Sequence, residues 1–166
     1  MYNKILAPLD GSEISECILA HVKGIATGCK VGEVVLFRVV APIPSSAYVA
    51  YAETGGDWVA GGDWMAKQEK QNYMAAENYL TQIAENLTKK GMSVQIVVSS
   101  GRPAEAILDY VRDNDVDLIV MSTRGQTGFS RWIRGSVVGR VSRNSPVPIL
   151  TVPPPDGRQS GGKRKK

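Results

Sequence analysis

The sequence predicts an α/β fold, with one parallel sheet of five strands covered by helices on both faces. Short apolar runs alternate with amphipathic stretches of helical period along the chain. Several runs, such as Val34-Val35-Leu36-Phe37, are apolar at successive positions, which suits strands buried on both sides. Glycine, proline and aspartate punctuate the joins, and there is no internal repeat.

Lys4-Ile5-Leu6-Ala7-Pro8-Leu9 reads as the first strand and runs into the turn Asp10-Gly11-Ser12. Ile14, Ile18, Val22 and Ile25, with Cys17 beside them, mark one face of a helix. Ser12 or Asp10 would cap that helix, and Glu13 and Glu16 suit its positive end. Gly28 and Gly32 bracket its break, and residues 34–40 form a second, β-branched strand. Residues 41–63, with two prolines, four glycines, Tyr48, Tyr51 and Trp58, read as a long loop. Packing of its aromatics against the body and a role as lid or partner surface are equally compatible with its composition.

A helix is expected to resume near Trp64. Its buried stripe would be Tyr73, Ala76, Leu80, Ile83, Ala84 and Leu87, and Lys89-Lys90-Gly91 would end it. Val94, Ile96 and Val98 alternate as a third strand. Pro103 opens a helix whose inner face is Ala104, Ile107, Leu108 and Val111. Asp117-Leu118-Ile119-Val120-Met121 forms the fourth strand. A helix from Gly135-Ser136 to Asn144 and a strand over 147–152 close the pattern, and Pro148 argues that this strand lies at an edge.

The chain has 166 residues, of which 43% are hydrophobic and 22% charged, as in ordinary globular domains. A formal charge of +4 and a pI near 9.1 would suggest nucleic acid. However, Asp156 against Arg158, Lys163, Arg164, Lys165 and Lys166 accounts for all of it. The reading is one domain over 1–155 and a basic, Gly/Ser-rich, disordered tail over 156–166, with nucleic-acid binding not expected. Cys17 and Cys29 have no metal or disulfide spacing, and Cys17 reads as a small buried hydrophobe. No apolar stretch approaches the roughly 18 residues of a membrane span, and the first strand leaves no room for a targeting peptide. A cytoplasmic location is expected.

Two features carry chemistry. Asp10 stands at the carboxyl end of the first strand, and residues 122–136 follow the fourth. Ligands of open α/β sheets bind at such ends, where the strand order reverses. Gly125 and Gly128 permit close backbone approach, and Gly135-Ser136 opens a helix whose free N–H groups suit phosphate. Ser122, Thr123, Thr127, Ser130 and Ser136 add hydroxyls, and Arg124 and Arg131 add charge. A structural loop is as compatible with these glycines as a phosphate cradle. The run is neither a Walker loop nor a Rossmann fingerprint. His21 reads as a packing or surface residue, and Asp113, Asp115 and Asp117 as a turn rather than a metal site.

Ser122-Thr123-Arg124-Gly125, nine residues and then Gly135-Ser136 resemble the Gly-x2-Gly-x9-Gly-Ser/Thr signature of ATP-binding universal stress proteins. Ile5-Leu6-Ala7-Pro8-Leu9-Asp10-Gly11-Ser12, Gly135-Ser136-Val137-Val138-Gly139-Arg140-Val141 and Pro146-Val147-Pro148-Ile149-Leu150-Thr151-Val152 resemble the first strand, last helix and last strand of that family. The resemblance spans residues 2–153. It implies a doubly wound, Rossmann-like sheet of order 3-2-1-4-5, with ATP, or AMP or ADP, between strands one and four. Pro8, Asp10 and Val39 would then line the adenosine side, Val39 through its backbone. Asp10 would approach the ribose or a phosphate-bound Mg or Mn ion. Met121, Ser122, Thr123, Arg124, Gly125, Gln126, Thr127 and Gly128, with Gly135, Ser136, Val137 and Val138, would hold ribose and phosphates. A homodimer through residues 147–152 is also implied. Two positions depart from the pattern. Ser122 replaces the first glycine of the signature; binding is expected to survive, the alternative being a narrowed pocket. Arg38 stands where many relatives carry histidine.

The expected function is adenine-nucleotide binding in a regulatory stress response. The alternatives are a slow ATPase, for which Asp10 is the strongest candidate group, and a dimeric interaction module without nucleotide.

Overall fold

The computed structural model describes residues 2–44, 58–123 and 136–154. The tail and the loop aromatics Tyr48 and Tyr51 lie outside them. The strands are β1 (Lys4–Pro8), β2 (Glu33–Val40), β3 (Val94–Ser100), β4 (Leu118–Ser122) and β5 (Ile149–Val152). The helices are α1 (Ile18–Cys29), α2 (Trp58–Thr88), α3 (Pro103–Asp113) and α4 (Val137–Asn144). All five strands are parallel, in the order β3-β2-β1-β4-β5, the order that the family resemblance implied.

Strand alternation divides the core. Ile5, Ala7, Val34, Leu36, Leu118 and Val120 point to one face and pack with Ile18 and Val22 of α1 and Leu80, Ile83 and Leu87 of α2. Leu6, Val35, Phe37, Ile119 and Met121 point to the other, against Ala104, Ile107, Leu108 and Val111 of α3 and Val141 of α4. Ile5, Leu6 and Ala7 are wholly inaccessible, so β1 is the spine of both halves. Truncating such a residue costs about 2–5 kcal/mol. Among the described residues, no helix is long and apolar enough to cross a membrane.

Five local expectations are corrected. The helix expected from Ile14 starts at Ile18, because a 3-10 turn over Ser15–Cys17 precedes it. Neither Ser12 nor Asp10 caps α1; the Ser12 side chain takes the Ser15 N–H at 3.2 Å, which spends its capping capacity on the turn. Ile14 consequently leaves the buried face and is 40% exposed. Helix α2 begins at Trp58 rather than near Trp64, in spite of Gly61 and Gly62: once nucleated, a helix propagates through residues that would not start one. Tyr73, placed in the buried stripe by its spacing, keeps its ring exposed and donates its hydroxyl to the Val98 carbonyl at 3.3 Å. Finally, β5 starts at Ile149, so Pro148 precedes the edge strand instead of lying inside it.

Candidate functional site

The crevice begins where β1 and β4 part. Their ladder pairs Ile5 with Leu118 and Leu6 with Ile119. Away from it, β1 stays paired with β2 as far as Pro8–Phe37, and β4 with β5 as far as Ser122–Val152. The β1–β2 and β4–β5 pairs run on in opposite directions across the sheet, so the carboxyl ends of β1 and β4 flank the point at which strand order reverses.

Asp10 stands on the β1 side of this point and is half-buried. Its Oδ1 accepts hydrogen bonds from the Ser12 N–H at 3.0 Å and the Ser12 hydroxyl at 2.6 Å, a tight Asx turn. Gly11, between them, has φ +86°, a backbone conformation in which a side chain is strained. The Ser12 carbonyl in turn accepts from the Ser15 N–H and the Ser15 hydroxyl. The carboxylate is therefore oriented by the turn that carries it.

The α4 side supplies donors. Ser136 is the N-cap of α4, and its Oγ accepts from the Gly139 N–H at 3.1 Å. The next two N–H groups, of Val137 and Val138, have no acceptor among the described residues, as the first turn of a helix requires. The helix dipole adds partial positive charge at the same place. Apolar groups stand near these strand ends: Met121, buried at the end of β4, and half-buried Val39 and Val138, all in the α3/α4 half of the core. Pro8, half-buried, ends β1 at the same level.

Two of the expected β4-side groups are placed differently from a simple donor set. Ser122 points to the α1 face, where its Oγ accepts from the Cys17 thiol at 3.6 Å. Cys17 is half-buried in the 3-10 turn rather than buried on α1; it packs against the α1/α2 half of the core, as a small hydrophobe should, while its thiol reaches Ser122. The Thr123 N–H is taken by the Val152 carbonyl at 2.9 Å, while its side chain is exposed. Arg124, Gly125, Gln126, Thr127, Gly128 and Gly135 lie outside the described residues.

The universal stress protein family model matches residues 1–153. The chain belongs to the universal stress protein family. Universal stress protein MJ0577 of Methanocaldococcus jannaschii is 32% identical over 155 residues, which cover 92% of this chain and 95% of the relative. The solved structure of MJ0577 superposes with a TM-score of 0.76 at 29% identity, covering 94% of this chain and 99% of that one. Two more distant structures share the fold. One is a universal stress protein in complex with cAMP (TM-score 0.58, 16% identity, 92% and 98% coverage). The other is an Arabidopsis thaliana family protein with AMP bound (TM-score 0.61, 15% identity, 92% coverage of each chain).

In this universal stress protein the sequence reading missed one arrangement behind the site. The Arg38 guanidinium lies over the Tyr79 ring, 5.0 Å from its centroid, and Tyr79 donates its hydroxyl to Glu16 at 3.0 Å. Burial first, and then the Glu16 bond, push the Tyr79 phenol well above its ordinary pKa, so it remains a donor. Glu16 therefore serves Tyr79 across the fold while lying in the 3-10 turn just ahead of the N-cap of α1, next to the positive end where it was expected. No periodicity could reveal a contact between residues 63 positions apart.

Proposed function

We propose that this universal stress protein binds an adenine nucleotide in the crevice between β1 and β4, as a regulatory member of the family. The observation that carries the reading is the pairing of opposite chemistries across the strand-order reversal. An oriented carboxylate stands on one side and the N-terminus of α4 on the other, with Val39 and Met121 offering apolar surface near the strand ends. The adenine would lie against Pro8, Val39 and Met121, and the phosphates toward Ser136, Val137 and Val138. The loop residues 122–128 and Gly135 would complete the cradle, as the signature implies. The complexes of family folds with cAMP and AMP support the ligand class; ATP is the form we favour.

A divalent cation fits only as a companion of nucleotide phosphates. Asp10 is a single carboxylate, and no group of three or more His, Cys, Asp or Glu converges among the described residues. When bound, Mg or Mn would neutralise phosphate charge, with Asp10 the protein group nearest to that task. The reading extends to assembly: β5 is an edge strand whose Ile149 and Leu150 are only half-buried, and pairing with a second copy would cover them.

The test is mass spectrometry of small molecules released on denaturation, followed by calorimetric titration of the folded protein with ATP and AMP. Saturable binding at one site per chain is expected. Absence of binding heat for both nucleotides in well-folded protein would give preference to the interaction module. Sedimentation at the mass of one chain would remove the dimer.

A further inference from the structure

We propose that Arg38 is a positioning residue that clamps the Asp10 turn from the face of the sheet opposite the Val39–Met121 side of the crevice. The proposal rests on the nucleotide reading above for its effect on affinity, and on geometry alone for the clamp. A methyl group built on Gly11 would come within 2.7, 2.8 and 2.9 Å of Nη2, Cζ and Nη1 of Arg38. Near-equal distances from three atoms of a planar group mean that the guanidinium lies flat against Gly11. Gly11 is the conformationally freest residue of the turn, and its φ of +86° sets the direction of the Asp10 carboxylate relative to Ser12.

The guanidinium is itself held. It lies over the Tyr79 ring. Among the described residues it makes no ion pair, and the ring of Tyr79 and the backbone of Gly11 are the groups packed against it. The Tyr79 hydroxyl is tied to Glu16, which lies in the 3-10 turn hydrogen-bonded to Ser12 through Ser15. The contacts therefore close on themselves: β2 to α2, α2 to the 3-10 turn, and that turn back to Asp10. Strand alternation puts Arg38 with Leu36 on the α1/α2 face and Val39 with Phe37 on the α3/α4 face. Arg38 thus acts on the ligand through Asp10 without touching it.

The experiment has two arms on the full-length chain. In the first, hydrogen exchange is followed across residues 10–16 without ligand, with thermal melting as a control for folding. Arg38→Ala and Tyr79→Leu should speed exchange at Ser12, and Tyr79→Phe, which keeps the ring under Arg38 but cuts the tie to Glu16, should speed it less. In the second, ATP with magnesium is titrated calorimetrically. Arg38→Ala should weaken binding by about three- to tenfold, the range of a partly desolvated cation–π contact. Arg38→Lys should recover part of it, and Arg38→Ala should add no further loss in an Asp10→Ala background. Unchanged exchange at Ser12 in folded Arg38→Ala overturns the clamp. Faster exchange with full additivity in the double variant overturns the route through Asp10. A wild-type protein that binds no ATP removes the nucleotide reading and with it the effect on affinity, while the exchange arm still decides the clamp.

Discussion

The Ser122 hydroxyl accepts a hydrogen bond from the Cys17 thiol at 3.6 Å, on the face of the sheet opposite Met121. The side chain that departs from the family signature is therefore turned toward α1 and away from the Val39–Met121 surface. Restoring the signature glycine with Ser122→Gly is expected to leave ATP affinity within about twofold of wild type. The same change should lower stability by roughly 1 kcal/mol, because glycine weakens a buried strand and the thiol loses its acceptor. Calorimetry and urea unfolding read the two effects separately, and an affinity change of tenfold or more would place the hydroxyl in the pocket.

Ser136 combines two roles that charge can separate. Ser136→Ala removes the acceptor for the Gly139 N–H and should destabilise α4 by about 1 kcal/mol. Ser136→Asp preserves the cap, since aspartate accepts the same bond, yet it places a negative charge where phosphate is expected. ATP binding should fall by at least about tenfold with stability retained. Equal binding by the Asp variant and wild type would move the phosphates away from α4.

Two glycines should respond to alanine with opposite signs. Gly11 has φ +86°, where any side chain is strained, so Gly11→Ala should cost roughly 1–3 kcal/mol and push the Arg38 guanidinium aside. Gly24, inside α1, has nothing within 4 Å of the added methyl, and Gly24→Ala should gain about 0.5–1 kcal/mol. Denaturant midpoints measure both; a stabilising Gly11→Ala would contradict the turn geometry.

Asp117 ties the amino end of β1 to that of β4. Its Oδ2 accepts the Asn3 N–H at 2.7 Å and the Lys4 N–H at 2.8 Å. These bonds, Lys4 first and Asn3 second, hold the carboxyl below its ordinary value of 3.8. A depressed folded pKa contributes stability that is fully present above that ordinary value and is lost as pH falls through the folded one. Asp117→Asn should therefore be less stable than wild type at neutral pH. The gap from wild type should close in acid, below pH 3.8. A deficit independent of pH would assign it to packing instead.

The architecture could be read before any coordinates because it follows from period and polarity. Consecutive apolar residues such as 34–37 had to be covered on both faces, and helical spacing in residues 104–111 had to turn one face inward. Asp10 and Ser136 were also legible, since a strand that ends in Asp-Gly-Ser and a helix that starts at Gly-Ser are local events. The element ends were less so. Ile14 has the right spacing for α1 but sits before a 3-10 turn, because Ser12 and Ser15 bond each other locally and delay the helix.

Which side chains meet across the sheet was beyond the reach of the chain read in order. Arg38, Tyr79 and Glu16 belong to three separate elements, and Cys17 and Ser122 are 105 positions apart. Local pattern specifies which face a residue presents. Long-range packing alone chooses its neighbour, because a contact between distant segments depends on how every intervening element is laid down.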